Sequence, residues 1–186
     1  MHHNPIIRPI RVNESDQAKR LIYSVAHPLM EPQITLNELI ARWESWGVLE
    51  EMNDILKNYF NCGGVFLVIE VDGCIVGTGA IRQFVEVEVF AEGGRLHTDD
   101  AQLRSGEGVC EVRRIALLPE YRGQKLGYLI MLDLIRRARE MGYNRMILWT
   151  DPTKLKRAVD FYHQLGFTDL AIDGIDPDEL WMGIDL

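Results

Sequence analysis

Apolar and polar positions change rhythm several times along the chain, and each change marks an element. Ile6 to Val12 alternates weakly and predicts a first strand, with cap-forming residues at Asn13-Glu14-Ser15-Asp16 after it. A helix is expected from about Asp16 to Ala26, closed by His27-Pro28, because proline lacks the helix donor and clashes with the preceding turn. Pro32 breaks the chain again. Helical patterns then cover Leu36 to Trp46 and, past Gly47, Glu50 to Phe60, as far as Gly63-Gly64. Val65 to Val71 is nearly all apolar, Asp72-Gly73 is a hairpin-turn pair, and Cys74 to Gln83 is the next strand, so a buried meander is predicted.

The stretch from Glu86 to Glu107 breaks this rhythm. It is acidic and glycine-containing, and it predicts a long loop or extended hairpin, either a solvated excursion or a substrate lid. Val109 to Leu118 is an apolar-rich strand interrupted by Glu111, Arg113 and Arg114. A turn at Pro119-Glu120-Tyr121 leads into Arg122-Gly123-Gln124-Lys125-Leu126-Gly127. From Gly127 to Met141 the period is helical, with Ile130, Leu134, Ala138 and Met141 on one face and Asp133, Arg136, Arg137 and Glu140 toward water. Gly142 is placed to cap that helix in the left-handed conformation. Arg145 to Thr150 reads as a strand and Lys154 to Leu165 as a helix ended by Gly166. Thr168 to Ile172 and Leu180 to Ile184 read as closing strands around a turn at Asp176-Pro177. With no repeat, low-complexity run or linker, the alternation predicts a mixed α/β fold in a single domain of residues 1–186.

Composition narrows the partners. Hydrophobic residues make up 47% and charged residues 26%, an ordinary globular balance. The formal net charge of −8 argues against a general nucleic-acid binder, since phosphate contacts need a basic surface. It suits attraction of a cationic amine, and equally plain solubility. Three cysteines, Cys62, Cys74 and Cys110, without a Cys-x-x-Cys, argue against a disulfide framework or zinc site and fit a cytoplasmic location. No metal-ligand spacing occurs, and no apolar run reaches membrane-spanning length, so neither a metal nor a membrane is expected as a partner.

The strand, glycine-bearing loop and helix between Cys110 and Met141 carry the strongest chemical signal. A helix start presents backbone N–H groups with no internal partner, backed by the positive end of the helix dipole, so phosphates bind there. A nucleoside-triphosphate loop would need a hydroxyl after its lysine, and Lys125 is followed by Leu126. A dinucleotide fold would need Gly-x-Gly-x-x-Gly, which the spacing does not supply. The segment instead resembles the acyl-CoA loop of the GNAT superfamily of N-acyltransferases, Arg/Gln-x-x-Gly-x-Gly/Ala, with Arg122 first, Gly127 last and Lys125 in place of the middle glycine. A second stretch, Ala158 to Phe167, resembles the later GNAT motif Ala-x-x-Phe-Tyr-x-x-x-Gly-Phe, with Leu155 where an asparagine is common.

The resemblance implies a GNAT-type fold, a mostly antiparallel central sheet with helices on both faces, opening between the strands ending at Leu118 and Trp149 to admit CoA. It implies acetyl transfer from acetyl-CoA to a primary amine, carried by a small molecule or a peptide. The amides of Arg122, Gly123, Gln124, Lys125, Leu126 and Gly127 would meet the pyrophosphate. Ile115, Ala116 and Leu117 would pair with the pantetheine arm and supply oxyanion donors, commonly worth about 2.7–4 kcal/mol each. Tyr162 is the implied general acid: a phenol with a pKa of about 10 still holds at pH 7 the proton that a thiolate accepts. It is alternatively a core tyrosine. Glu111 is the candidate base, with an ion pair to Arg113 on the same strand face as the other reading. Trp43, Trp46, Tyr59 and Phe60 are either acceptor-pocket aromatics or core, while His163 and His97 read as surface residues without partners. Dimers are frequent in the family, which leaves a homodimer open. A catalytically silent CoA-binding module is the alternative function. A tRNA-directed acyltransferase is disfavoured by the acidic charge.

Overall fold

Strands and helices alternate in a computed structural model that describes residues 4–85, 90 and 94–186. The elements in chain order are β1 (Ile6–Pro9), α1 (Ser15–Met30), α2 (Leu36–Ser45), α3 (Ile55–Asn58), β2 (Val65–Val71), β3 (Cys74–Gln83), α4 (Ala101–Ser105), β4 (Val109–Leu117), α5 (Leu126–Glu140), β5 (Arg145–Thr150), α6 (Lys156–Gln164), β6 (Thr168–Asp169) and β7 (Leu180–Asp185). The strands follow the order β1-β2-β3-β4-β5-β7-β6 in one sheet. The ladders β1–β2, β2–β3, β5–β7 and β6–β7 are antiparallel, and β4–β5 is parallel through Val109–Glu111 against Arg145–Ile147. The expected mixed α/β, mostly antiparallel sheet is therefore present. The chain divides into two compact units: residues up to Ile81 with Arg113–Leu134, and Arg82–Val112 with Ile135–Leu186.

In the first unit α1 runs through Pro28 rather than ending before it. The proline sits in the last turn, so little helix remains to be disrupted, and the Glu31 N–H still reaches the His27 carbonyl at 3.1 Å. α2 starts in a capping box: Thr35 Oγ1 accepts from the Glu38 N–H, and Glu38 Oε2 accepts from the Thr35 N–H at 2.8 Å. The helix expected over Glu50 to Phe60 is broken into 3-10 turns at Glu50–Asp54 and Phe60–Cys62 around the short α3. Asp54 is the reason for one break, because its carboxylate accepts from the Lys57 N–H and starts α3 afresh. Tyr23, Leu39, Met52, Tyr59, Phe66 and Val68 form the centre of this unit's core. Of the four aromatics, Tyr59 is fully buried, Trp43 and Phe60 pack at the core margin, and Trp46 is 67% exposed and outside it. The β2–β3 hairpin turns at Asp72 and Gly73, both with positive φ, the mirror-image turn that matches strand twist.

The second unit has its own core of Phe84, Phe90, Leu103, Val109, Ile147 and Trp181. Phe84, Phe90 and Trp181 meet at ring-centroid distances of 5.5 to 6.2 Å. The stretch expected as a long loop or extended hairpin contains α4. Asp100 caps that helix by accepting from the Gln102 and Leu103 N–H groups at 3.0 and 3.1 Å, and also pairs with Arg145 at 2.5 Å. Residues 86–89 and 91–93 of that stretch lie outside the described residues. α6 begins at Lys156 rather than Lys154, because the Asp151 carboxylate takes the Thr153 and Lys154 N–H groups into a turn of its own. β6 ends at Asp169 rather than Ile172, and β7 extends one residue further to Asp185.

α5 belongs to both units and buries Leu126, Ile130, Met131, Leu134, Ile135 and Ala138. Met141 was expected on this face but lies beyond the helix end, 44% exposed. Gly142 caps the helix as expected, at φ +87, with the Tyr143 N–H reaching back to the Ala138 carbonyl at 3.0 Å. No helix among the described residues is long and apolar enough to cross a membrane.

Candidate active site

The loop before α5 lies in the first unit and is solvent-exposed from Arg122 through Lys125. Gly123 has φ +77, and a Cβ there would meet open space. Lys125 has φ +61, a left-handed conformation that glycine adopts without penalty and that costs an ordinary residue roughly 1 kcal/mol. The lysine thus takes a backbone conformation that favours glycine. Among the described residues, none of the amides of Gly123 to Gly127 donates to a backbone or side-chain acceptor. That run of open donors, at the positive end of a 15-residue helix, fits a pyrophosphate. Arg122 leans back on the Leu117 carbonyl through Nε at 3.4 Å, and the Gln124 amide on the Glu120 carbonyl at 3.3 Å.

β4 approaches this loop through a kink that sequence periodicity did not reveal. Arg114 sits at φ +59 inside the strand, a conformation for which a non-glycine residue needs support. Its carbonyl accepts from Thr78 Oγ1 at 2.7 Å, and Thr78 is fully buried on β3. Its guanidinium meets Glu51 Oε1 through Nε at 2.6 Å and Nη2 at 2.5 Å, and the Tyr59 hydroxyl donates to the same oxygen at 3.1 Å. Burial is the largest effect on Glu51 and pulls its pKa up, but the Arg114 charge and hydrogen bond, the backbone donor and the Arg113 charge together outweigh it, and the carboxyl is held below the usual glutamate range. Burial, reinforced by the Glu51 charge, raises the Tyr59 phenol. Ile115, Ala116 and Leu117 follow the kink directly, with Ala116 buried and the other two half-buried.

The two candidate catalytic residues belong to the second unit. Glu111 is 1% exposed on β4, and its Oε2 lies 3.5 Å from Arg82 Nε on the neighbouring β3. That cross-strand partner is invisible in the alternation of β4 itself. Tyr162 is 8% exposed on α6, in tilted ring contacts with Phe161 and Phe167 at centroid distances of 5.5 and 5.9 Å. Burial alone raises its phenol, and its hydroxyl makes no hydrogen bond to another described residue. Nearby in sequence, Asp151 feels burial pushing its pKa up, yet donors from Thr153 and Lys154 prevail and hold it at about 2. His163 and His97 are exposed as expected, but His163 Nε2 does have a partner, Asp169 at 2.8 Å.

A family model described as the acetyltransferase (GNAT) family matches residues 34–167. The chain belongs to the GNAT family. Within it, an uncharacterized N-acetyltransferase, YjgM, of Escherichia coli is 30% identical over 116 residues, 62% of this chain and 58% of that protein. A mycothiol acetyltransferase of Nocardiopsis dassonvillei is 30% identical over 164 residues, 87% of this chain and 42% of that protein. The chain spans less than two thirds of the length of the curated relatives it matches. The structure of a PaiA N-acetyltransferase from Thermoplasma acidophilum in complex with coenzyme A aligns with 98% of this chain and 99% of its own at TM-score 0.71. Identity there is 14%, so that likeness is one of fold.

Proposed function

We propose that this chain is a single-domain, acetyl-CoA-dependent N-acetyltransferase that acts on a primary amine by direct attack on the thioester. The run of open amides from Gly123 to Gly127, with Lys125 held in a glycine-like conformation, carries this reading within the GNAT family. The solved relative with coenzyme A supports the choice of donor. The loop amides hold the pyrophosphate, with Arg122 and Lys125 adding positive charge beside it. Ile115, Ala116 and Leu117 pair with the pantetheine arm, and their amides stabilise the oxyanion.

The amine nitrogen attacks the carbonyl carbon and its electrons pass to the carbonyl oxygen. On collapse of the intermediate the carbon–sulfur bond breaks. Glu111 takes the amine proton, directly or through water, while remaining paired to Arg82. Tyr162 gives its proton to the departing thiolate; no described residue holds that hydroxyl proton in a competing bond. The proton taken by Glu111 is returned through solvent to the Tyr162 phenolate, so that amide and the CoA thiol complete the balance; an acceptor that starts as an ammonium gives one proton to solvent before it attacks. No metal enters the scheme.

Calorimetric titration with acetyl-CoA, run beside a thiol-release assay over a panel of amines, tests the reading. Micromolar binding, weakened for a donor fragment that lacks the pyrophosphate, and thiol release with at least one amine are expected. No binding would overturn it, and binding without release on any amine would leave a CoA-binding module.

A further inference from the structure

Donor amides stabilise an oxyanion only if they point at it, and in β4 that direction is set one residue before Ile115. We infer that Thr78 and Glu51 are positioning residues for acetyl transfer: they hold Arg114 in its left-handed conformation and thereby aim the amides of Ile115 and Ala116. The inference rests on the acetyltransferase reading and adds residues that lie outside both sequence motifs.

A non-glycine residue stays in a left-handed conformation inside a strand only when its surroundings over-determine it. Here three restraints converge on one position. The carbonyl of Arg114 is held by the Thr78 hydroxyl at 2.7 Å, where Thr78 is fully buried and water cannot substitute. The side chain is held by Glu51, whose accepting oxygen is itself fixed by the Tyr59 hydroxyl at 3.1 Å. The chain that follows is pressed close to β3 by the glycines either side of Thr78. A Cβ on Gly77 would lie 3.1 Å from the Ala116 carbonyl oxygen, and one on Gly79 would lie 2.8 Å from Ile115 Cδ1. Gly77-Thr78-Gly79 therefore acts as a seat, with no side chain where β4 must approach and a hydroxyl where the kink must be tied.

A purely structural tether would affect stability alone, and a positioning tether must also affect the chemical step. The discriminating variants are Thr78→Val, which removes the hydroxyl, Thr78→Ser, which restores it, and Glu51→Gln, which keeps an acceptor but removes the charge. Each is compared with the wild type in kcat and KM for acetyl-CoA, and in amide hydrogen exchange at Ile115, Ala116 and Leu117 by NMR. Thr78→Val is expected to lower kcat about 10- to 100-fold, with KM changing less than about threefold and exchange at the three amides rising about tenfold. Thr78→Ser returns kcat to within about threefold of wild type, and Glu51→Gln falls between the two. If Thr78→Val melts at a lower temperature but keeps kcat and amide exchange, the inference is overturned. Should Thr78→Val not fold, unchanged kcat and exchange in Glu51→Gln overturn it instead. Absence of thiol release by the wild type overturns the acetyltransferase reading and this inference with it. Release by the wild type with an indifferent Thr78→Val overturns this inference alone.

Discussion

Two buried tyrosines in different units contrast a phenol whose proton is already bonded with one whose proton is not. Tyr59 in the first unit and Tyr162 in the second are both shielded from water, and burial raises the pKa of both. Their hydroxyls differ. That of Tyr59 donates to Glu51, which is already bound to Arg114, so its proton is fixed in a network that braces β4. That of Tyr162 has aromatic rings around it and no acceptor among the described residues, so its proton is uncommitted. Burial and residue type alone would rank the two equally. What distinguishes them is whether the folded protein already uses the proton.

Removing each hydroxyl is the sharpest way to break this comparison. Tyr162→Phe is expected to lower kcat about 100-fold while leaving CoA affinity within about twofold, by steady-state kinetics beside calorimetry. Tyr59→Phe is expected to leave kcat within about threefold and to reduce stability by about 1 kcal/mol in denaturant unfolding. Equal kinetic effects of the two would erase the distinction. Glu111→Gln should lower kcat by about 10- to 100-fold and remove the acidic limb of the pH–rate profile. A surviving acidic limb would exclude Glu111 as the base.

Smaller effects probe the first unit's network. Glu51→Gln leaves Arg114 half-buried opposite a neutral group and should cost about 2 kcal/mol near neutral pH. Because the folded Glu51 carboxyl titrates below its usual range, this contribution is complete above that range and is lost as pH falls through the lowered value. The wild-type advantage over Glu51→Gln should therefore shrink on acidification. Glu14 offers a separate check. The Arg8 guanidinium holds its carboxyl down from 4.5 to about 2, against the opposing effect of burial. With solvent screening, Glu14→Gln should cost about 1 kcal/mol at neutral pH, a difference that disappears as pH falls from 4.5 to about 2. A pH-independent difference would show that packing, and not charge, holds the Arg8–Glu14 contact.

Elements whose signal is local were legible in the sequence. The Asp72-Gly73 turn, the start of α5 and its Gly142 cap depend on a few adjacent residues with distinctive backbone preferences. The loop from Arg122 to Gly127 was legible for the same reason, and Lys125 takes a left-handed φ at the position where the motif has a glycine. Features that depend on distant partners were not. The kink at Arg114 needs Thr78 and Glu51, far away in the chain, and only the paired glycines around Thr78 hinted at a close approach. The pairing of Glu111 with Arg82 crosses between strands, and reading β4 alone does not offer it. The fragmentation of Glu50 to Phe60 came from a capping aspartate, Asp54, that an apolar periodicity count passes over. Proline at position 28 misled in the other direction, because its penalty depends on how much helix follows.

The four-residue strand β1 has a consequence for life in a crowded solution. It forms an end of the sheet and closes at Pro9, which has no N–H to offer. Its Arg8 is engaged with Glu14 and Glu70, which keeps ionic groups at that rim. An incoming extended chain would find few donors to pair with and a charge cluster to desolvate. This margin of the sheet is thus a poor template for strand addition, and it guards the protein against edge-to-edge aggregation.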